Sequence, residues 1–135
     1  GYLCGRLLAV LEFIQSAAIP GIKATIVDRY YGTASSAPAS VYGRLLRSTQ
    51  AHLAKLRKEK GGAYVSLQRL MGEVLGELKE FPTTLSLQDQ ALFALGYYHQ
   101  RVAGWGSGSK QNSEATNSNI MQGEEGISDD DGSLS

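Results

Sequence analysis

Residues 2–18 read Y-L-C-G-R-L-L-A-V-L-E-F-I-Q-S-A-A and are followed by Ile19-Pro20-Gly21. Leu3, Leu7, Val10, Leu11 and Ile14 recur at three- and four-residue spacing, the period of one helix face, and Pro20-Gly21 forbids continuation. This spacing predicts a helix over about Tyr2–Ala18 with that side turned to a core. Cys4, early on the same helix, reads as a small core residue.

The same period governs most of the chain from Lys23 to Val102. A short segment over about Lys23–Tyr31 carries Ile26 and Tyr30 on one side, with Gly32 available as the left-handed residue that closes it. Small residues, Thr33 to Ala37, then form an expected loop, and Pro38 suits the first turn of a third helix because its missing N–H needs no partner there. That helix extends to about Lys60, before Gly61-Gly62, with Leu45, Leu56, Leu53, Leu46 and Tyr42 inside an arc of roughly 100°. A fourth helix, about Ala63 to Phe81, presents Leu67, Leu70, Met71, Val74, Leu75 and Leu78 before Pro82 ends it. Ser86-Leu87-Gln88-Asp89 resembles a capping signal for a fifth helix that reaches about Val102, with Leu92, Phe93 and Leu95 as its apolar contribution. No segment alternates as a strand. Short connections between consecutive helices predict an all-α fold, a compact antiparallel bundle of about five helices over 1–103.

Beyond Ala103 the composition changes to Gly, Ser and Asn and then to acids, so 104–135 is expected to be a disordered tail: too few large apolar side chains remain to offset the entropy of ordering it. The formal charge of zero conceals this division. Residues 1–103 hold 12 Lys and Arg against 7 Asp and Glu, a net of +5, whereas the tail sets Lys110 against six acids, a net of −5. The single cysteine cannot form an internal disulfide and, with two histidines, builds no zinc site, which reads as a reducing, cytoplasmic chain. No apolar run reaches the roughly 18 residues a membrane helix needs, and the first residues lack the basic, apolar and small-residue order of a signal peptide, so the chain is expected to be soluble.

The expected third helix also carries a basic face. Arg44, Arg47, Lys55 and Lys58 lie within an arc of about 80°, largely opposite the leucines, at intervals comparable to phosphates along a strand. Arg29 approaches from the preceding segment, Tyr30 or Tyr31 could stack on a base or sugar, and Lys23 and Arg101 are outlying candidates. The expected loop would bring the helix N-terminus and the hydroxyls of Ser35, Ser36 and Ser40 close to an anion. The bland alternative is a solvated face, or one masked by the acidic stripe Glu73, Glu77 and Glu80 on the fourth helix. His52 sits at the edge of the leucine face and reads as a half-buried packing residue, while Tyr97, Tyr98 and His99 form a polar aromatic end. No nucleophile–base pair or metal-ligand spacing is present, so the chain is expected to be neither an enzyme nor dependent on a cofactor.

The strings Y-L-C-G-R-L-L-A-V-L-E, D-R-Y-Y-G-T-A-S-S-A-P-A-S-V-Y-G-R-L-L-R, H-L-A-K-L-R-K and L-S-L-Q-D-Q-A-L-F-A-L-G-Y-Y-H-Q-R, in this order across residues 2–103, resemble the C-terminal region of the large subunit of the type I-C CRISPR surveillance complex, Cascade. The resemblance implies a region that is also made as a separate small subunit by internal initiation. It further implies a bacterial helical bundle, present in more than one copy, that lines the belly of a crRNA-guided complex beside the backbone subunits and helps hold DNA in the R-loop. The nucleic-acid contacts at Lys23, Arg29, Tyr30, Arg44, Arg47, Lys55, Lys58 and Arg101 follow from charge geometry and not from the resemblance. A second reading makes the bundle a protein spacer docking through Glu73, Glu77, Tyr97, Tyr98 and His99, and a third a free-standing helical regulator.

Overall fold

The computed structural model describes residues 1–106, and the acidic part of the tail expected to be disordered lies outside the described residues. Five α-helices, and no strand, occur among them: α1 (Tyr2–Ala18), α2 (Ile26–Ser36), α3 (Tyr42–Glu59), α4 (Gly61–Glu77) and α5 (Leu87–Ala103), with a 3₁₀ turn at Pro38–Ser40 leading into α3. The all-α expectation holds.

α1 is the central rod, in contact with each of the other four helices. It is buried on most sides rather than on one: Cys4, Leu7, Leu8, Ala9, Val10, Leu11 and Ile14 all lie in the core, together with Gln15 and Glu12, while Tyr2, Arg6, Phe13 and Ala17 are half-buried. A helix surrounded by neighbours needs no polar face, and this one has few polar residues to spare.

Its tightest partner is α5. The position a Cβ would take on Gly5 lies 2.0 Å from the carbonyl oxygen of Phe93, and that on Gly96 lies 2.0 Å from the carbonyl oxygen of Tyr2. Only a hydrogen fits on either side, so the two backbones touch. Arg6 Nε donates to Gln100 Oε1 at 2.8 Å further along, and residue numbers rise together on both helices, so α1 and α5 run in the same direction. First and fifth members of an up-and-down series are parallel in this way.

The other end of α1 is closed by cations. Lys55 Nζ donates to the Ala18 carbonyl at 2.8 Å and Lys60 Nζ to the Ala17 carbonyl at 3.1 Å, where the helix leaves its acceptors free and its dipole is negative.

The expected loop at Thr33–Ala37 is not a loop. α2 runs through Gly32, which does not take a left-handed φ, and ends at Ser36. The segment that follows α4 decides this end: Leu85 N–H donates to the Ser36 carbonyl and Ala39 N–H to the Pro82 carbonyl. Ala34 and Ser35 are buried at this end of α2. α4 correspondingly stops at Glu77 rather than Phe81, and the Phe81 ring stacks on Tyr42 with centroids 4.8 Å apart. Tyr42, fully buried, donates its hydroxyl to the Cys4 carbonyl of α1.

The apolar expectation for α5 also needs correction. Phe93 is buried, but Leu92 is 39% and Leu95 48% exposed, because the face turned to α1 is Phe93, Gly96 and Gln100.

Candidate nucleic-acid interface

α2 begins with a capping box: Thr25 Oγ1 accepts from the Val27 and Asp28 amides, and Asp28 Oδ2 accepts from the Thr25 amide at 2.9 Å. Thr25 in turn donates to Glu12 Oε2 on α1 at 3.1 Å, and Gln15 Oε1 accepts from the Ile26 amide at 2.8 Å. Two side chains of the central rod therefore fix where α2 starts, and with it the direction in which Arg29 and Tyr30 leave the helix.

Between α2 and α3 this leaves a cavity of about 290 Å³. Arg29 and Tyr30 line it from α2, Arg44, Ser48 and His52 from α3, and Gln15 from α1. Three residues expected to meet a nucleic acid, separated by up to 15 positions in sequence, are thus gathered at one place. Arg29 and Arg44 are exposed, and among the described residues no ion pair involves Arg29, Arg44, Arg47, Lys55 or Lys58. The glutamate stripe of α4 does not neutralise them: Glu73 and Glu77 are exposed, and no ion pair to either occurs among the described residues.

The rest of the basic face is divided. Arg47 is exposed on α3, and Lys23 is exposed in the α1–α2 connection. Lys58 lines a second cavity, between α3 and α4, with Arg57, whose guanidinium carbon lies 5.9 Å from the centre of the Tyr64 ring. Lys55 already spends one donor on the end of α1. Arg101 is engaged elsewhere, its Nη1 donating to Glu12 Oε1 at 2.6 Å.

Nor do Ser35, Ser36 and Ser40 offer free hydroxyls to an anion. Ser35 and Ser36 donate to the Gly32 carbonyl and Ser40 to the Ala37 carbonyl, each satisfying a local helix or turn acceptor. The amides of Ala39, Ser40 and Val41 bond to Pro82, Ala37 and Pro38 carbonyls, which closes the approach expected at the start of the third helix.

At the aromatic end, Tyr97 is tied inward. Its hydroxyl donates to Glu12 Oε1 at 2.7 Å, its ring meets Tyr31 edge-on, and burial followed by the Glu12 hydrogen bond pushes its pKa up to about 12. His99 Nδ1 is hydrogen-bonded to the Tyr2 hydroxyl at 2.9 Å, whereas Tyr98 is 63% exposed.

His52 is half-buried at the cavity wall, and burial, then the Lys55 charge, holds its imidazole below the ordinary 6.5. A lowered pKa means that the unfolded chain binds the proton more readily. The stabilisation is complete above pH 6.5 and is lost as pH falls through the depressed folded value. Thermal unfolding followed by circular dichroism should therefore show a melting temperature that declines on acidification below that point. The decline should be shallower in His52→Gln, and equal slopes would contradict the assignment.

Gln15 is the site residue that sequence reasoning missed. It follows the core residue Ile14 and resembles an ordinary surface glutamine, and only the position of α2 buries it. The T-I-V-D of the capping box was the available signal for where α2 starts.

Residues 1–105 match the family model described as CRISPR-associated protein (Cas_Csd1). The chain belongs to this family. It is therefore a CRISPR-associated, Cascade-type protein, and within this Cas_Csd1 region lie all five helices and both cavity-lining arginines. No curated protein matches the chain. Among the described residues no helix is long and apolar enough to cross a membrane, and no cluster of three or more metal-ligating side chains occurs.

Proposed function

We propose that this chain is a noncatalytic small subunit of a type I-C surveillance complex, lining its belly and holding target DNA in the R-loop through contacts to the sugar-phosphate backbone. The observation that carries the reading is the convergence of Arg29 and Arg44 from two helices on one cavity, beside Tyr30 and without a carboxylate among its lining residues. Guanidinium groups held in this way match phosphate geometry, and Arg47 and Lys58 continue the positive face along α3. Lys23 adds charge at one margin, and Lys55 has two N–H donors left after the bond to Ala18. Arg101 is the weakest member of the set because Glu12 already holds it. Exchange of a DNA duplex for a guide–target heteroduplex is nearly balanced in energy, so a few backbone contacts are enough to tip it while base pairing reads the sequence. Arg44→Glu with Arg47→Glu should leave the circular dichroism of the chain unchanged. In the reconstituted complex the pair should release target DNA faster than wild type, with the difference largest at low salt and narrowing as salt rises. Equal retention at every salt concentration would refute the reading.

A docking role in the same complex has its own support. Leu87, Ala91, Leu95, Tyr98 and Val102 fall within an arc of about 80° on α5, opposite the side packed on α1. Leu87, Tyr98 and Val102 are 84%, 63% and 70% exposed. An apolar stripe of this kind marks a protein contact. It takes in Tyr98 but leaves out Glu73, Glu77 and Tyr97; His99 lies beside it. Leu95→Asp should keep the fold and reduce co-purification with the backbone subunits by tenfold or more, about 1.4 kcal/mol; undiminished co-purification would remove α5 from the interface.

A further inference from the structure

We propose that the cavity between α2 and α3 takes one nucleotide turned out of a single DNA strand, with its phosphate on Arg29 and Arg44 and its base within the recess against Tyr30. The inference rests on the backbone-holding role above and adds to it a contact with a base.

Phosphate contacts alone do not account for the site. A strand that merely followed the basic face would need exposed cations and no recess. The cavity, about 290 Å³, lies near the lower end of ligand sites and suits a single small ring system rather than a larger ligand. Its walls are of two kinds. Ile22, Ile26 and Leu45 supply apolar surface, and Tyr30 supplies an aromatic ring, the surroundings on which an unstacked base is held. Gln15 supplies a polar demand: it is 9% exposed, its Oε1 is occupied by the Ile26 amide, and its Nε2 has no acceptor among the described residues. A buried amide N–H without an acceptor is destabilising, and a base carbonyl oxygen entering the recess would meet it. Ser48 adds a hydroxyl at the mouth. The lining therefore combines two guanidiniums, an orphan amide donor and an apolar wall, and the ligand with the complementary set is an anionic sugar phosphate bearing a flat ring with carbonyl acceptors. A pyrimidine nucleotide fits this description in size and in acceptors, and single strands release such bases readily because no pairing has to be broken.

The test compares a short oligothymidylate with a strand of the same length made only of abasic nucleotides, which keeps every phosphate and removes every base. Affinities are measured by fluorescence polarisation with the full chain. The wild-type protein should bind the oligothymidylate about tenfold more tightly, as one stacked base contributes. Ser48→Leu, at an exposed helix position, fills the mouth without changing charge, and Tyr30→Ala removes the ring. Each should abolish the preference, and Ser48→Leu should leave abasic-strand affinity within about twofold. If Tyr30→Ala fails to fold, Ser48→Leu decides alone. Equal wild-type affinity for both strands, or a preference that survives Ser48→Leu, overturns the base contact and leaves the backbone role standing. Failure to bind either strand overturns both.

Discussion

Gly96→Leu should abolish cooperative unfolding of the bundle, and Gly96→Ala or Gly5→Ala should each remove about 3 kcal/mol, the upper end of ordinary overpacking effects. The reason is geometric. A Cβ on Gly96 would lie 2.0 Å from Tyr2 O, and one on Gly5 would lie 2.0 Å from Phe93 O and 2.9 Å from the Tyr97 amide nitrogen. These obstacles are backbone atoms of packed helices and cannot rotate aside, so α1 and α5 would have to separate along their length. The two glycines share one seam, hence the double substitution should fall short of the sum of the singles. Gly32 and Gly72 provide the control. Neither has a neighbouring atom within 4 Å of a would-be Cβ, and both lie inside helices, so Gly→Ala there should add about 0.5 to 1 kcal/mol. Urea unfolding reads all of these. A destabilising Gly32→Ala would reinstate the left-handed helix end expected from sequence, and a neutral Gly96→Ala would contradict the contact between α1 and α5.

The second large effect concerns binding. Arg29→Ala with Arg44→Ala should weaken association with single-stranded DNA about 100-fold, taking roughly 1.4 kcal/mol or more for each charged hydrogen bond lost. The slope of log K against log salt should fall by about 1.4, at about 0.7 for each phosphate on a single strand. Lys79→Ala, an exposed cation in the connection after α4, should change affinity little. An unaltered slope in the double variant would show that the two guanidiniums do not meet phosphates, whatever happens to the affinity.

The helices themselves could be read in the sequence, since each carries its own apolar period and the glycines and prolines mark most boundaries. The errors arose where a boundary depends on a distant partner. Whether α2 stops at Gly32 or Ser36 is decided by Leu85, whose amide takes the Ser36 carbonyl, and no property of Thr33 to Ala37 announces it. Phe81 leaves the helical run because Tyr42 offers a stacking face. Leu92 and Leu95 illustrate a different limit. Side-chain hydrophobicity ranks them above Gly96, yet α1 approaches closest where there is no side chain, so the glycine is buried and the leucines face outward. The centrality of α1 was available in principle, since its run from Leu7 to Leu11 has no polar break. At the site, charge periodicity found Arg44, and Arg29 is read from its place in the segment just before the third helix. Neither could find that Lys55 caps α1, that Arg101 belongs to Glu12, or that Gln15 lies beneath the arginines, because all three depend on helices brought together by folding.

The most direct test is an electron cryo-microscopy map of the reconstituted complex with guide RNA and target DNA bound. The Arg29 and Arg44 guanidiniums of this subunit should lie within hydrogen-bonding distance, about 3 Å, of successive or neighbouring phosphates of a DNA strand. If instead the α2–α3 face is covered by another protein subunit, with the DNA running elsewhere, the proposed role in holding the strand is wrong.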